Sequence, residues 1–462
     1  MSKISENPYG DVLRDMARRM ALNPPGPAHL HTELATTFLY ASIGRYLARG
    51  GLVACVLPDA VLNGYQHKPF REGAPATSSS RVPLDVREIW RVEHGTFKNE
   101  AIVVFGSKKP SSALDLIPGG RVSREGLADG PFGVVRRGDR MVWSDVGAVQ
   151  AHQAFFDAGE FRQGADLMPR TLLFHGLTAS GTRWLVSKID RQGGSKRYLV
   201  KDAKKNREFA IDAGAVSDAF IFDALMSNHL TPFHVVDPDK VVLPFLRSQP
   251  RWLAVSDQDL AADPQSADVI GRMIGAIAPD ASAATLLQMV ETDRKKLSTQ
   301  KFAPGVYLVV YGAGGGVVCA ATRPLSSLDP EKLVIDQTLY WHQVATADEA
   351  LYLVGMFNSP AIEPLITAFQ PQGQQGERHI HKLPVLVTPR YDPADPDHTA
   401  VVSATRALIA QWELEASKPE NLLKLDPVGA LASRRSFLRS KIAELSLFSA
   451  YASACEVVYA SV

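Results

Sequence analysis

LATTFLYASIGRYLAR (34–49), Gly50-Gly51 and LVACVLP (52–58) form the stretch on which the fold turns. Leu34, Phe38, Leu39, Ile43, Tyr46 and Leu47 recur at helical spacing, so the first segment predicts an amphipathic helix. The glycine pair ends it. Leu52 to Leu57 is a continuous apolar run, the pattern of a strand buried on both faces of a sheet. Outward from this block, Gly73 to Pro83 is a small-residue loop, and strands are predicted over Leu84–Val92 and Ala101–Phe105. A helix followed by several parallel-type strands predicts an open α/β sheet. Upstream lies a short basic helix, Asp11 to Met20, stopped by the prolines of Asn23-Pro24-Pro25-Gly26-Pro27.

From about residue 110 the texture changes. Short strand-like runs (TLLFHGL, RWLVSKI, KRYLVKD, KVVLPFL) alternate with Gly, Pro and Asp turns, which predicts an irregular, β-rich region. Helices are expected over Asp268–Ile277 and Ala281–Leu297. Val306–Tyr311 and Val317–Ala321 flank Gly312-Ala313-Gly314-Gly315-Gly316 and read as a hairpin. A cofactor loop needs a helix after its glycines, and the residues after Gly316 are strand-like. Thr346-Ala-Asp-Glu349 fits a capping box before a helix over Ala350–Phe357. His398 to Cys455 reads as a helical tail.

The 462 residues suffice for two to four domains of roughly 100–200 residues each. A hydrophobic fraction of 45%, a charged fraction of 21% and a net charge of +1 describe an ordinary globular chain, so any DNA-binding face must be local. Cys55, Cys319 and Cys455 have no metal-type spacing, which suits a reducing cytoplasm. The N-terminus carries no apolar signal segment, and no apolar run approaches the ~20 residues that cross a membrane. Gly-x-Ser-x-Gly and Gly-Lys-Ser/Thr are both absent, which excludes the commonest serine-hydrolase and phosphate-loop chemistries.

The block from Leu34 to Arg71 resembles the late half of the catalytic domain of N6-adenine DNA methyltransferases from restriction–modification and phage-defence systems. In that family the strand ends in proline and leads through a short loop to an arginine-bearing segment, as Leu57-Pro58-Asp59-Ala60-Val61-Leu62-Asn63-Gly64 leads here to Phe70-Arg71. Val334-Ile-Asp-Gln-Thr-Leu-Tyr-Trp341, Phe357-Asn358-Ser359, the run Gly376 to Pro384 and Pro389-Arg390-Tyr391-Asp392-Pro393 resemble the family's target-recognition part. No acidic-Phe-x-Gly-x-Gly signature of the methionine cofactor occurs. The resemblance therefore implies S-adenosylmethionine bound by a partner subunit that carries the upstream half.

Candidate residues follow from the same resemblance. Phe97, in Thr96-Phe97-Lys98-Asn99 before a strand, is the candidate seat for a flipped adenine; it reads equally as a core residue at a strand end. Asn23 invites comparison with the family's catalytic Asn-Pro-Pro-aromatic motif, but Gly26 replaces the aromatic and no buried strand precedes it, so a Pro-rich loop is the simpler reading. Arg183, Lys188, Arg191, Lys196, Arg197, Lys201, Lys204, Lys205 and Arg207 make one segment basic, suited to neutralising phosphates. Arg378 and Lys382 are further candidate phosphate contacts. His379 and His381 have metal-like spacing without an evident third ligand, so no metal is expected.

The expected architecture is thus α/β: a partial open twisted sheet, Rossmann-like, over 1–115, a β-rich target-recognition domain over 116–395, and a helical tail over 396–462. The expected role is the target-recognition and fold-completing subunit of a split methyltransferase, working on double-stranded DNA in the cytoplasm. Two alternatives stay open: a non-catalytic DNA-binding specificity or adaptor subunit, and a self-sufficient enzyme using Asn23.

Overall fold

The structure, a computed structural model, describes residues 9–23, 34–73, 82–110, 116–137, 140–144, 156, 159–168, 170–187, 213–248, 251–277, 280–291, 296–315, 317–367, 369–370, 380–425 and 431–460. It is mixed α/β, with several small sheets and many helices. The chain forms two compact units: residues 1–155 with 363–387 and 461–462, and residues 156–362 with 388–460. Among the described residues, no helix is long and apolar enough to cross a membrane.

The first unit contains α1 (Gly10–Arg19), α2 (Leu34–Tyr46), β1 (Leu52–Pro58), α3 (Lys68–Arg71), β2 (Asp85–Val92), β3 (Ala101–Ser107), β4 (Leu116–Ile117), β5 (Gly119–Ser123), β6 (Gly126–Asp129), β7 (Phe132–Arg137) and β8 (Arg140–Ser144). Five strands form one sheet in the order β1-β3-β2-β5-β6, and β4, β7 and β8 form another. β3 is antiparallel to both β1 and β2, so those two point the same way. β2 and β5 are parallel. The parallel-type reading of the first strands is corrected here, because the link from β2 to β3 is too short for a crossover and makes a hairpin. Where β5 runs beside β2, a Cβ on Gly119 would collide with the Ile89 carbonyl, so only glycine fits.

Leu39, Tyr40 and Ile43 of α2 pack with Leu57, Ile89, Ile102 and Val104 beneath the sheet. Phe70 sits edge-on between Tyr40 and Trp143, at 5.8 and 5.6 Å. The opposite face of the sheet is open. Leu52 is 69%, Val56 53% and Phe105 39% exposed. Among the described residues β1 is also the end of its sheet. The expectation of a strand buried on both faces is therefore overturned: the apolar run predicts a strand, but composition does not say which elements cover it.

Among its described residues the second unit carries five small sheets, three of which have three or four strands. Tyr307–Gly312 and Ala320–Pro324 pair antiparallel, which makes the glycine run a hairpin turn as expected. Leu339–Val344 and Arg162–Gln163 complete that sheet. Gly176–Ser180, Arg183–Ser187 and Ala213–Ser217 form a second, and Asp239–Val242, Ile221–Leu225 and Leu333–Ile335 a third. The expected strand TLLF is instead a short helix, Arg170–Leu173. Helix Ala347–Asn358 is N-capped by Thr346, whose hydroxyl accepts from the Glu349 amide at 3.2 Å. It packs with helices Pro396–Ala416 and Phe448–Ala460. A Cβ on Gly355 would collide with Thr405, so glycine is what lets the first two helices approach.

Candidate nucleic-acid interface

In open α/β sheets, ligands gather outside the carboxyl ends of the strands. Because β1 and β2 point the same way, their carboxyl ends share one rim. The Asp59 amide donates to the Glu100 carbonyl (3.0 Å), and the Glu93 amide to the Val122 carbonyl (2.8 Å), so the end of β1 is tied to the start of β3 and the end of β2 to β5. Beneath the rim the Arg91 guanidinium meets the Asp59 carboxylate at 2.8 Å, both side chains nearly buried. Arg91 also lies over the Phe132 ring at 5.7 Å.

The segment after β1 is clamped by Arg71. Its Nε and two terminal nitrogens donate to the carbonyls of Met141 (2.7 Å), Val61 (2.7 Å) and Gly64 (2.9 Å). Burial, and then the neighbouring Arg140 charge, lowers its pKa to about 9. Arg71 is therefore a loop-holding residue with its donors occupied. The Asn63 side chain adds a donor bond to the Gln370 carbonyl at 2.5 Å.

Above this rigid base stands the β2–β3 loop. Gly95 has φ +83°, a left-handed value that glycine supplies cheaply. The Thr96 amide donates to the Glu93 carbonyl at 3.2 Å, and His94 contacts Glu100 across the loop. The tip presents Phe97, 49% exposed, and the exposed Lys98. An aromatic face beside a cation on a tethered loop can stack a base and meet its phosphate.

The remaining candidates are scattered. Asn23 is half-buried after α1, and its Oδ1 is buried without a hydrogen-bond partner among the described residues. Arg183 pairs with Asp263 at 2.8 Å, next to the helix Pro264–Gly275 that Asp263 caps. That pairing gives Arg183 a structural partner. Lys188, Arg191, Lys196, Arg197, Lys201, Lys204, Lys205 and Arg207 lie outside the described residues, as do His379 and Arg378. Lys382 is half-buried in the turn entering the helix Leu383–Val387, whose second residue is Pro384. His381 stands in the same turn. Among the described residues, no group of three or more His, Cys, Asp or Glu could hold a metal ion. The glycine run at Gly312, closed by antiparallel strands with no helix behind it, does not fit a methionine cofactor. The Asp59–Arg91 pair was invisible in the sequence: 32 residues separate its partners, and no local pattern joins them.

No protein-family model and no curated protein matches this sequence. Among solved structures, the chain is similar to the Type IIL restriction–modification enzyme MmeI in complex with DNA. The TM-score is 0.51 at 10% identity, over 99% of this chain and 52% of that one. More distant likenesses are the DrdV–DNA complex (TM-score 0.39, 9% identity, 98% and 54% covered) and a nuclease-deletion mutant of the Type ISP enzyme LlaGI with a DNA substrate mimic (0.40, 10%, 88% and 40%). The fold likeness rests on the first. The chain spans about half the length of the MmeI structure it matches.

Proposed function

We propose that this chain is the target-recognition and sheet-completing subunit of a split N6-adenine DNA methyltransferase in a restriction–modification or phage-defence system. One observation carries the reading: nearly the whole chain superposes on about half of a restriction–modification enzyme. In this reading double-stranded DNA lies across the β2–β3 loop. Phe97 stacks on the extruded adenine, Lys98 meets a flanking phosphate, and the Arg71 and Asp59–Arg91 contacts hold the rim still. Lys188, Arg191, Lys196, Arg197, Lys201, Lys204, Lys205 and Arg207 supply further phosphate contacts in this reading. A partner subunit carries S-adenosylmethionine, which supplies the methyl group, and the Asn-Pro-Pro-aromatic loop.

The test is transfer of labelled methyl from S-adenosylmethionine to an adenine-containing duplex, with the chain alone and with the neighbouring gene product added. Transfer only in the mixture is the expected result. Transfer by the chain alone would replace this reading with a complete enzyme. DNA binding without transfer in either arm would replace it with a specificity or adaptor subunit.

A further inference from the structure

The open face of the five-stranded sheet calls for an occupant. Leu52, Ala54 and Val56 alternate onto that face, and the register sets Phe105 and Val103 beside Ala54 and Val56. The outer edge of β1 is seven residues long and carries no charge, although exposed edges are normally blunted by Lys, Pro or a bulge. Its only proline, Pro58, stands at the last position. The neighbouring α2 exposes Leu34, Phe38 and Tyr46 as well. Arg45 and Arg49 stand near the amino end of β1, while Glu88 of β2 pairs with Phe105 on the open face. Both arginines are exposed, with no ion pair among the described residues. The MmeI fold extends over as much length again as this chain matches.

Resting on the reading above, we propose that this surface is the seam with the partner subunit. A strand of the partner pairs with the free edge of β1, and a partner helix covers Leu52, Val56 and Phe105. Partner carboxylates stand opposite Arg45 and Arg49. The pairing is β-strand addition, in which main-chain hydrogen bonds give affinity and the apolar face gives register.

The experiment mixes the full chain with the neighbouring gene product that carries an Asn-Pro-Pro-aromatic motif. It follows association by sedimentation, β1 amide exchange by mass spectrometry, and methyl transfer in the same samples. The expected result is a 1:1 complex in which β1 amides are protected. Val56→Glu and Phe105→Glu, both at exposed positions, weaken the complex at least tenfold while leaving circular dichroism unchanged. Leu414→Glu, an exposed position of the second unit (75%), leaves association unaltered. Association and methyl transfer that survive both seam substitutions would overturn the seam and keep the split enzyme. A dimer of this chain alone that Val56→Glu dissolves, with no gain from the second protein, would assign the surface to a second copy instead. Neither association nor transfer, or no such neighbouring gene, would sink both.

Discussion

Arg71 holds three carbonyls with one side chain, two in the segment after β1 and one in strand β8. Replacing it with methionine keeps the volume and strands those acceptors. Arg71→Met should therefore lower unfolding free energy by about 3 kcal/mol or more, read from urea denaturation. A loss below ~1 kcal/mol would mean that water replaces the clamp. Phe97 makes the opposite prediction. Being half exposed, Phe97→Ala should move stability by no more than ~0.5 kcal/mol. Methyl transfer by the two-chain complex should fall by the equivalent of ~1–3 kcal/mol, the worth of one base–aromatic stack. Unchanged transfer would remove Phe97 from the site. The sequence offered Phe97 as either core or seat, and exposure removes the core option. It could not show that Arg71 faces inward, because the segment that leads to Arg71 says nothing of which carbonyls surround it.

At the scale of elements, helix contacts carry the testable detail. Gly355 faces Thr405 so closely that a side chain has no room. Gly355→Val should destabilise the second unit by about 1–3 kcal/mol, seen as a lower thermal midpoint. Histidines of the same unit set its acid limit. Burial holds His234, His342 and His398 below the usual histidine range, aided at His234 by the Arg323 charge. Their unfolded forms take up a proton near pH ~6.5, before the folded forms do. Stability is therefore full above that value and is lost as pH falls toward the lowered folded values. Urea midpoints should drop between pH 7.5 and 5, and His398→Gln should flatten that slope. Helices and strands were largely legible: α1, α2, β1 to β3, the glycine hairpin and the Thr346 cap all lie where periodicity and capping residues put them. The TLLF run was not, since so short a run, with three apolar residues, fits either period and only the surrounding packing made it helical.

Taken whole, the molecule keeps its first unit together across a long detour in sequence. Residues 363–387 belong with residues 1–155, and the Asn63 bond to Gln370 spans 307 positions. No sequence pattern announces this return, because a contact of such range leaves no periodic trace. Asn63→Ala, which removes the side-chain bond to Gln370, should accordingly lower the thermal midpoint of the full chain and raise its binding of a dye for exposed apolar surface; equal melting would make that tie to the return segment dispensable. The same detour has a consequence on the ribosome. At roughly 5–20 residues per second, the stretch from Phe155 to Val387 takes tens of seconds to emerge. Throughout that interval the first-made unit waits without its closing segment, in the company of nascent chaperones, and the tempo of translation becomes a variable in how much finished protein a cell obtains.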